Sequence, residues 1–371
     1  MEATFWVAAL VIVYVYAGYP LLLAVWARVA AKPVRVAAGM PSVSIVVAAR
    51  NEAATLDARI QNLLALDYPA ARMQIVVVSD GSTDRTAEIL ARYADRVDAV
   101  LLPSGGKALA LNAGVSAATH GIIVFTDARQ TFAADALRAL VAPFADPSVG
   151  GVSGELLLDC EAGGGQSSIG EGVGAYWRYE KWLRENESLI GSMVGATGAI
   201  YALRRSLWRP LPADTILDDV LAPMRAVMAG ARVVLERGAR AYDRAASAGA
   251  EFKRKTRTLA GNYQLLRLEP RLLLPIVNPV WWQFMSHKVG RLLVPWALAL
   301  LFVSSGLLAS RSAFYALAFF AQVAFYALAL YGAALDRQGR ALARVAYTFV
   351  MMNAAAVAGL IAVSYGRRVW R

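Results

Sequence analysis

Uncharged apolar positions are concentrated at the two ends of the chain, whereas the middle alternates short apolar runs with polar stretches. Residues 4–26 carry no charge and are long enough to cross the hydrocarbon core of a bilayer, so they predict an N-terminal membrane helix. Three apolar segments near the other end, at about 292–310, 313–335 and 345–365, predict further spans. The pattern therefore indicates a globular domain flanked by membrane helices.

The middle of the chain has the alternation of β-branched runs and amphipathic stretches that is typical of βαβ units and a mostly parallel sheet. The predicted elements are strands at 42–49, 74–79, 99–102 and 122–126, a helix that begins near Asn51 and Glu52, and a second helix at about 107–118. The first and last of these strands are almost wholly apolar, as expected for strands covered on both faces. We therefore predict an α/β domain with a Rossmann-like sheet.

These patterns divide the chain into four parts: an N-terminal transmembrane helix at 1–30, a globular domain at 40–250, a basic interfacial segment at 251–290 and C-terminal transmembrane helices at 291–371. The stretch before the second group of spans contains Pro and Trp residues, which favours a position at the membrane interface. His287 and Lys288 lie just before a predicted span, and Lys288 is expected to extend its ammonium group to that interface.

Charge around the first span predicts the topology. Arg28, Lys32 and Arg35 follow it, so the positive-inside rule places the globular domain in the cytosol of a multi-pass protein of the inner or plasma membrane. Four spans would then leave the C-terminal arginines at 367, 368 and 371 outside. Either the stretch at 270–286 also enters the bilayer, or the charge rule is violated at this end, and both alternatives stay open.

The composition and net charge limit the classes of molecule that the protein is expected to bind. The net charge is +11, from 38 Lys and Arg against 27 Asp and Glu, and the mean hydropathy is +0.45. The sequence has no zinc-finger spacing and no aromatic RNA-binding strand, so we predict no nucleic-acid partner. The basic charge instead favours a membrane surface and a phosphorylated ligand. The single cysteine, Cys160, excludes an intrachain disulfide.

Polar residues follow three of the predicted strands. They are Asn51 and Glu52 after the first strand, Asp80 with the Gly-Ser-Thr-Asp turn after the second, and Asp127 after the fourth. In open α/β sheets ligands bind at the carboxyl ends of the strands, so these side chains are candidates for one site. For Thr83 and Asp84 in the turn, capping of the next helix is an equally good explanation.

Six motifs in order, SIVVAARNE, VVVSDGSTDRT, GGKALALNAG, VFTDAR, ILDDV and RKTR, resemble the membrane-bound inverting glycosyltransferases of family 2. That family has the GT-A fold and includes cellulose, hyaluronan and poly-N-acetylglucosamine synthases and ceramide glucosyltransferases. The resemblance covers about residues 40–290. It implies inverting transfer of a hexose from a nucleotide sugar, usually a UDP-sugar, to a membrane-associated lipid or glycan acceptor.

The resemblance also implies a donor site. The matching positions are Ala49, Asn51, Glu52, Asp80, Lys107 and Asp127. Asp80 matches the aspartate that binds the base, and Lys107 matches a lysine near the nucleotide. Asp127 matches the first aspartate of the DxD motif, which implies a divalent cation, Mg²⁺ or Mn²⁺, on the donor diphosphate.

Position 129 departs from the family pattern, because Arg129 replaces the second aspartate of that motif. One alternative is that Asp127 still holds the cation, since Mg²⁺ often needs few protein ligands. Another is that Arg129 itself supplies a fixed positive charge to the diphosphate. A third is a catalytically inactive relative that keeps the fold as a nucleotide-sugar-binding membrane scaffold.

Asp219 in ILDDV matches the catalytic base of the family, and the resemblance places Asp218, Gly195 and Gly198 in the acceptor region. An inverting transfer needs one carboxylate that takes the proton of the attacking hydroxyl. The structural alternative for the acidic pair is a favourable interaction with the dipole at a helix start.

The basic RKTR motif places Arg254 and Arg257 at the positions of a family motif that contacts the diphosphate and closes the site. A basic helix that faces anionic headgroups is the alternative for this cluster. The tryptophan that follows this arginine in the family is Thr258 here. This difference favours a single or limited transfer, with a processive polysaccharide synthase as the alternative.

Overall fold

The computed structural model describes residues 1–159, 168–244, 248–334 and 341–365. Cys160 and the C-terminal arginines at 367, 368 and 371 lie outside the described residues. The strands of the sheet are β1 (Val43–Ala49), β2 (Met73–Asp80), β3 (Asp98–Leu102), β4 (Ile122–Asp127), β5 (Thr131–Phe132), β6 (Val149–Asp159), β7 (Tyr201–Arg204) and β8 (Arg232–Arg244).

The helices fall into two groups. Those of the globular domain are α2 (Leu56–Leu64), α3 (Thr86–Ala91), α4 (Lys107–Ala117), α5 (Ala136–Val141), α6 (Ser168–Ile190), α7 (Asp218–Met228) and α8 (Ala248–Leu268). The apolar helices are α1 (Glu2–Val29), α9 (Trp281–Leu308), α10 (Ala313–Ala334) and α11 (Ala341–Ser364). Short 3₁₀ turns at 70–72, 142–145, 205–207 and 270–273 connect them.

The strands form one sheet in the order β3-β2-β1-β4-β7-β6-β8-β5. The first four neighbours pair in parallel, whereas β7 runs antiparallel to both β4 and β6. On the far side β6 and β8 are parallel, and the short β5 pairs with β8 in the antiparallel direction. The predicted α/β class with a mostly parallel sheet is confirmed.

Helices cover both faces of the parallel half of the sheet, which explains its apolar strands. One face packs Ile45 and Val47 of β1 against α2 and α5, and the other packs Val46 against α4. Gly114 of α4 allows this close approach, because a Cβ there would lie 2.4 Å from a Val46 methyl carbon. The packing fixes α4 over β1 and so fixes the position of Lys107 at the start of that helix.

Four described helices are long and apolar enough to span a membrane. Three agree with the predicted segments, but α9 begins at Trp281, before the predicted start at 291. The segment 251–290 contains most of helix α8, a 3₁₀ turn and the first turns of α9, and its position at a membrane interface stays a prediction. Local hydropathy missed this start because the first turns contain Gln283, Ser286 and His287, which are buried against protein.

A buried polar network joins the globular domain to these helices. His287 of α9 is 3% exposed, and its two ring nitrogens lie 2.7 Å from Glu187 and 2.8 Å from Glu180 of α6. Tyr19 of α1 donates to Glu187 over 2.6 Å, and Arg291 donates to Glu180 over 2.5 Å. Two carboxylates therefore hold His287 inside the protein, between the globular domain and the apolar helices.

Candidate active site

The register of the sheet brings the predicted strand ends together. Ala49 pairs with Ser79 at the end of β2, and Ala48 pairs with Asp127 at the end of β4. Asp80 and Asp127 therefore flank the end of β1 at one edge of the sheet. Ala49 itself is 2% exposed, so its side chain belongs to the core.

Asp80 is bound to the loop that precedes α4. Its carboxylate accepts hydrogen bonds from the backbone N–H groups of Gly105 at 2.6 Å and Gly106 at 3.0 Å. The side chain is buried, and the Arg50 guanidinium lies 3.9 Å away. Asp80 thus positions the loop from which Lys107 projects, and base recognition by Asp80 stays a prediction.

Asn51 and Glu52 hold the turn that follows β2. Asn51 has a φ of 54°, a left-handed conformation that asparagine tolerates better than most residues. Its Oδ1 accepts from the Thr83 N–H at 2.8 Å, and the Glu52 N–H donates to Thr86 Oγ1 at 3.1 Å. Asp84 accepts from the N–H groups of Ala53 and Thr86, each at 3.0 Å.

The Asp84 carboxylate thus binds both the loop after β1 and the first N–H of α3, and it ties these two segments together.

Lys107 lies between carboxylates from two different elements. Its ammonium nitrogen is 3.0 Å from Asp127 Oδ1 and 3.2 Å from Asp218 Oδ1. The Lys107 and Asp127 side chains are 42% and 32% exposed, whereas Asp218 is only 6% exposed. A ligand can therefore reach Lys107 and Asp127, while the buried carboxylate of Asp218 holds the Lys107 ammonium in place.

Electrostatics keep this pair ionised. Burial acts to lower the pKa of Lys107, but the nearby carboxylates outweigh it and hold the pKa above its usual value. Burial acts to raise the pKa of Asp127, yet Lys107, Arg129 and Arg257 together hold it below the usual range. The site thus presents a negative carboxylate surrounded by positive charges, which suits a phosphate group bound with a cation.

Asp219 is the neighbouring acid at the start of α7, and a tight loop holds it. The Gly198 N–H donates to Asp219 Oδ2 at 3.1 Å, and the Ala196 N–H donates to its carbonyl at 2.7 Å. A Cβ on Gly198 would lie 3.0 Å from Asp219 Oδ2, and Gly195 has a φ of +139°. The loop predicted for the acceptor region therefore adjoins this acid.

Burial, followed by the charge of Asp218, raises the pKa of Asp219 to about 6. Asp218 lies beneath it, where the Tyr201 hydroxyl donates to the carboxylate at 3.5 Å. Asp219 is partly exposed. A carboxyl group with this pKa can accept a proton near neutral pH more readily than an ordinary aspartate. This property suits a general base, and that role of Asp219 stays a prediction.

Arg129 pairs with a carboxylate that the motif analysis did not foresee. Its Nε lies 3.0 Å from Asp243 Oδ2 of β8, and Gln130 donates to the same oxygen at 2.9 Å. The Arg129 side chain remains 54% exposed, so the guanidinium is held beside Asp127 without being buried. This arrangement fits the alternative in which Arg129 is a fixed cation next to the diphosphate.

The two arginines of the RKTR motif have different surroundings in the structure. Arg257 is exposed and near enough to lower the pKa of Asp127, as a diphosphate-binding residue should be. Arg254 instead pairs with Glu251 at 2.6 Å and lies over the Trp177 ring at 5.5 Å. Of this pair, the structure brings only Arg257 to the Asp127 side.

Two cations near the site, buried Arg59 and half-buried Arg184, were not identified from the sequence. Arg59 of α2 is 3% exposed and donates to Thr126 at 2.8 Å, and burial lowers its pKa to about 9 while Asp127 acts to raise it. Arg184 of α6 donates to Thr197 Oγ1 at 2.7 Å, in the loop that holds Asp219. Neither arginine lies in one of the sequence motifs. Each is one polar residue on an amphipathic helix, so its position near the site is known only from the tertiary packing.

Within the described ranges, no group of three or more His, Cys, Asp or Glu side chains is arranged to hold a metal ion. The accessible Asp127 carboxylate is nevertheless a suitable single protein ligand for Mg²⁺ or Mn²⁺ when diphosphate oxygens and water complete the coordination. The donor set therefore fits a cation that arrives with the nucleotide.

Comparison with known proteins agrees with the motif analysis. The sequence model described as "Glycosyl transferase family 2" matches residues 44–208. A β-monoglucosyldiacylglycerol synthase from Nostoc sp. is 29% identical over 193 residues, which is 49% of this chain and 40% of that protein. A poly-β-1,6-N-acetyl-D-glucosamine synthase from Staphylococcus aureus is 31% identical over 119 residues, 31% of this chain and 28% of that protein.

The chain thus matches about two fifths or less of the length of these relatives. Among solved structures, the mannosyltransferase PcManGT from Pyrobaculum calidifontis, in complex with GDP-Man and Mn²⁺, has a TM-score of 0.72 at 24% identity. The alignment covers 98% of this chain and 99% of the other. The likeness shows a shared fold along the described spans as well as the sheet, and the predicted GT-A fold is confirmed.

Proposed function

We propose, from the premise that residues 44–208 form a glycosyl transferase family 2 domain, that the protein transfers a hexose from a nucleotide sugar to a membrane-associated acceptor with inversion. The observation that carries this proposal is the meeting of Asp127, Lys107 and Asp219 at one edge of the sheet. The apolar helices support an acceptor at the membrane, and the basic residues Arg28, Lys32 and Arg35 after the first span support a globular domain on the cytosolic side.

In this reaction the acceptor hydroxyl attacks the anomeric carbon from the face opposite the diphosphate. The bond between that carbon and the phosphate oxygen breaks, its electron pair leaves with the nucleoside diphosphate, and the hydroxyl proton passes to Asp219. Lys107 and Arg257 supply positive charge where the leaving group becomes more negative. A divalent cation, when bound at Asp127, would offset part of the same charge.

Asp80, Asn51 and Glu52 order the loops around the nucleotide in this scheme, and Asp80 also recognises the base. The fixed position of Arg129 beside Asp127 supports its contribution to diphosphate binding in addition to the cation.

The raised pKa of Asp219 predicts a pH dependence. Only the ionised carboxylate can accept the proton, so kcat/KM should be nearly constant above pH 7 and fall about tenfold per pH unit well below 6. Because the Asp218 charge contributes to the raised pKa, Asp218→Asn should move this acidic limb to lower pH. An unchanged limb in that variant, or a wild-type limb below pH 5, would contradict the assignment of Asp219.

The reaction class is tested by incubating the purified full chain with UDP-, GDP- and TDP-sugars and membrane lipids, and by measuring release of the nucleoside diphosphate. We expect release with one sugar nucleotide, an increase with Mn²⁺ or Mg²⁺, and loss with EDTA. Activity that survives full chelation would assign the diphosphate charge to Arg129 and Lys107 alone.

The size of the product separates two acceptor types in the same assay. One added sugar on a lipid is the expected result, since Thr258 stands where polymerising relatives have tryptophan. A ladder of lengths would instead indicate a polysaccharide synthase. No release with any donor would support a non-catalytic nucleotide-sugar scaffold.

A further inference from the structure

A cavity of about 380 Å³ lies between the globular domain and the apolar helices. Side chains from five helices line it: Tyr16 of α1, Arg184 of α6, Lys255 of α8, Lys288 of α9 and Phe349 of α11 are examples. Its volume falls within the range of small-molecule sites, which is about 300–1,000 Å³. The cavity is therefore large enough for a ligand other than the nucleotide, whose predicted site lies at the sheet edge with Asp80 and Asp127.

The cavity is connected to the candidate base. Arg184, which lines it, donates to Thr197 in the loop whose Gly198 N–H binds Asp219. The positive charges of Lys288 and Arg184 also act to lower the pKa of Asp219. A molecule in the cavity would thus lie on the acceptor side of Asp219.

The walls of the cavity have two chemical characters. Four cations and one carboxylate line it, namely Arg184, Lys255, Lys288, Arg291 and Glu180. Arg291 is neutralised by Glu180 at 2.5 Å, which leaves three cations in excess. The opposite wall is apolar and comes largely from α11, with Val345, Phe349, Met352 and Ala356.

The excess cations have weak protein partners. Among the described residues, no carboxylate oxygen lies within 4.0 Å of the Lys288 ammonium or the Arg184 guanidinium. The nearest carboxylate to Lys255 is Glu251 at 3.8 Å, which already binds Arg254 at 2.6 Å, and the other contacts of the ammonium are with the rings of Tyr176 at 4.6 Å and Trp177 at 5.0 Å. Burial lowers the pKa of Lys255 to about 8, so an anion in the cavity would relieve a desolvated charge.

Unpartnered polar atoms lie on three of the lining residues, one of them the Tyr179 hydroxyl. Trp177 Nε1 and Asn262 Oδ1 are buried and have no hydrogen-bond partner in the described part of the chain. The indole N–H can donate to an anionic oxygen, and the amide oxygen can accept from a hydroxyl group. A buried polar group without a partner is costly, so both atoms point to a ligand with acceptors and donors.

We propose that this cavity binds the acceptor, and that the acceptor is a lipid whose head group carries both a phosphate and a free hydroxyl. The phosphate contacts Lys255, Lys288 and Arg184, the acyl chain lies along α11, and the hydroxyl faces Asp219. The inference rests on the proposed function for the transfer step, but the anion-binding site stands independently of it. It excludes a neutral diacylglycerol as the preferred acceptor.

Lipid binding is tested on the full chain in detergent by native mass spectrometry, with phosphatidylglycerol, diacylglycerol and soluble glycerol phosphate as probes. We expect wild type to retain phosphatidylglycerol in preference to both others. Lys288→Gln and Lys255→Gln should each weaken retention about tenfold. Lys253→Gln is the matched control, because this lysine lies exposed on the same helix as Lys255 and outside the cavity.

Kinetics with the active nucleotide sugar provide the second arm. The two cavity variants should raise KM for phosphatidylglycerol about tenfold and leave kcat and donor KM within about twofold. Equal use of diacylglycerol, or an unchanged acceptor KM in both variants, would overturn the inference while the glycosyltransferase proposal stands. Selective retention of the anionic lipid without transfer from any donor would overturn the proposed function and leave the anion site intact.

Discussion

Replacing Asp219 with asparagine is expected to lower the rate of sugar transfer by about 10²–10⁴-fold, the range for loss of a general base. Binding of the nucleotide sugar should stay within about twofold of wild type, since the donor contacts lie on Asp127, Lys107 and Arg257. The measurements are single-turnover product formation and isothermal titration with the donor. Loss of product formation together with loss of donor binding would indicate that Asp219 has a structural role.

The substitution is informative because it keeps the local structure. Asparagine retains an oxygen that can accept the Gly198 N–H, now 3.1 Å from the carboxylate, so the loop has no reason to move. What disappears is the capacity to accept the acceptor proton and the charge near Asp218. The acidic limb of the pH profile should disappear in any residual activity.

Asp214→Asn is the matched control. This aspartate lies in the segment before α7, with a side chain that is 50% exposed, and it contacts Gln264 and Arg267 rather than the site. Its activity should remain within about twofold of wild type. A comparable loss in this variant would show that the region tolerates no change of charge, and the argument for Asp219 as the base would fail.

The donor edge was predictable because parallel strands place their carboxyl ends together. The strand at 42–49 was predicted within a residue of β1, and the register of β1 with β2 and β4 then brings Asp80 and Asp127 to one edge. The first helix was placed too early, near Asn51, whereas α2 begins at Leu56. The intervening residues form the bonds that hold the turn after β2.

The acceptor side was not predictable in the same way. Lys288 was expected to extend to the membrane interface, yet it lines a cavity between α6, α8, α9 and α11. These helices are far apart in sequence, and hydropathy carries no information about which polar side chains meet across them. The pairing of Glu180 and Glu187 with His287 spans about a hundred residues and is likewise visible only after folding.

Lys107 links the two halves of the site, and Lys107→Met is expected to weaken nucleotide-sugar binding about 100-fold. The methionine keeps the packing of the stem at the start of α4 but removes the charge between Asp127 and Asp218. Asp127 and Asp218 then have no ammonium group between them. Their negative charges repel the donor diphosphate more strongly, so its binding weakens. Titration calorimetry with the donor measures this effect.

The same variant should lose stability in a pH-dependent manner. Because Asp218 is buried and loses its ammonium partner, we expect a loss of about 1–3 kcal/mol at pH 7.5. Lys107 helps to hold the pKa of Asp127 below its usual range, so its removal raises that pKa in the folded state; Asp127 then takes up a proton as the pH falls, and the deficit should shrink by pH 5. Thermal unfolding in detergent at the two pH values, with Lys253→Met as control, measures this difference. A deficit that is equal at both pH values, or unchanged donor binding, would mean that Lys107 does not act through these carboxylates.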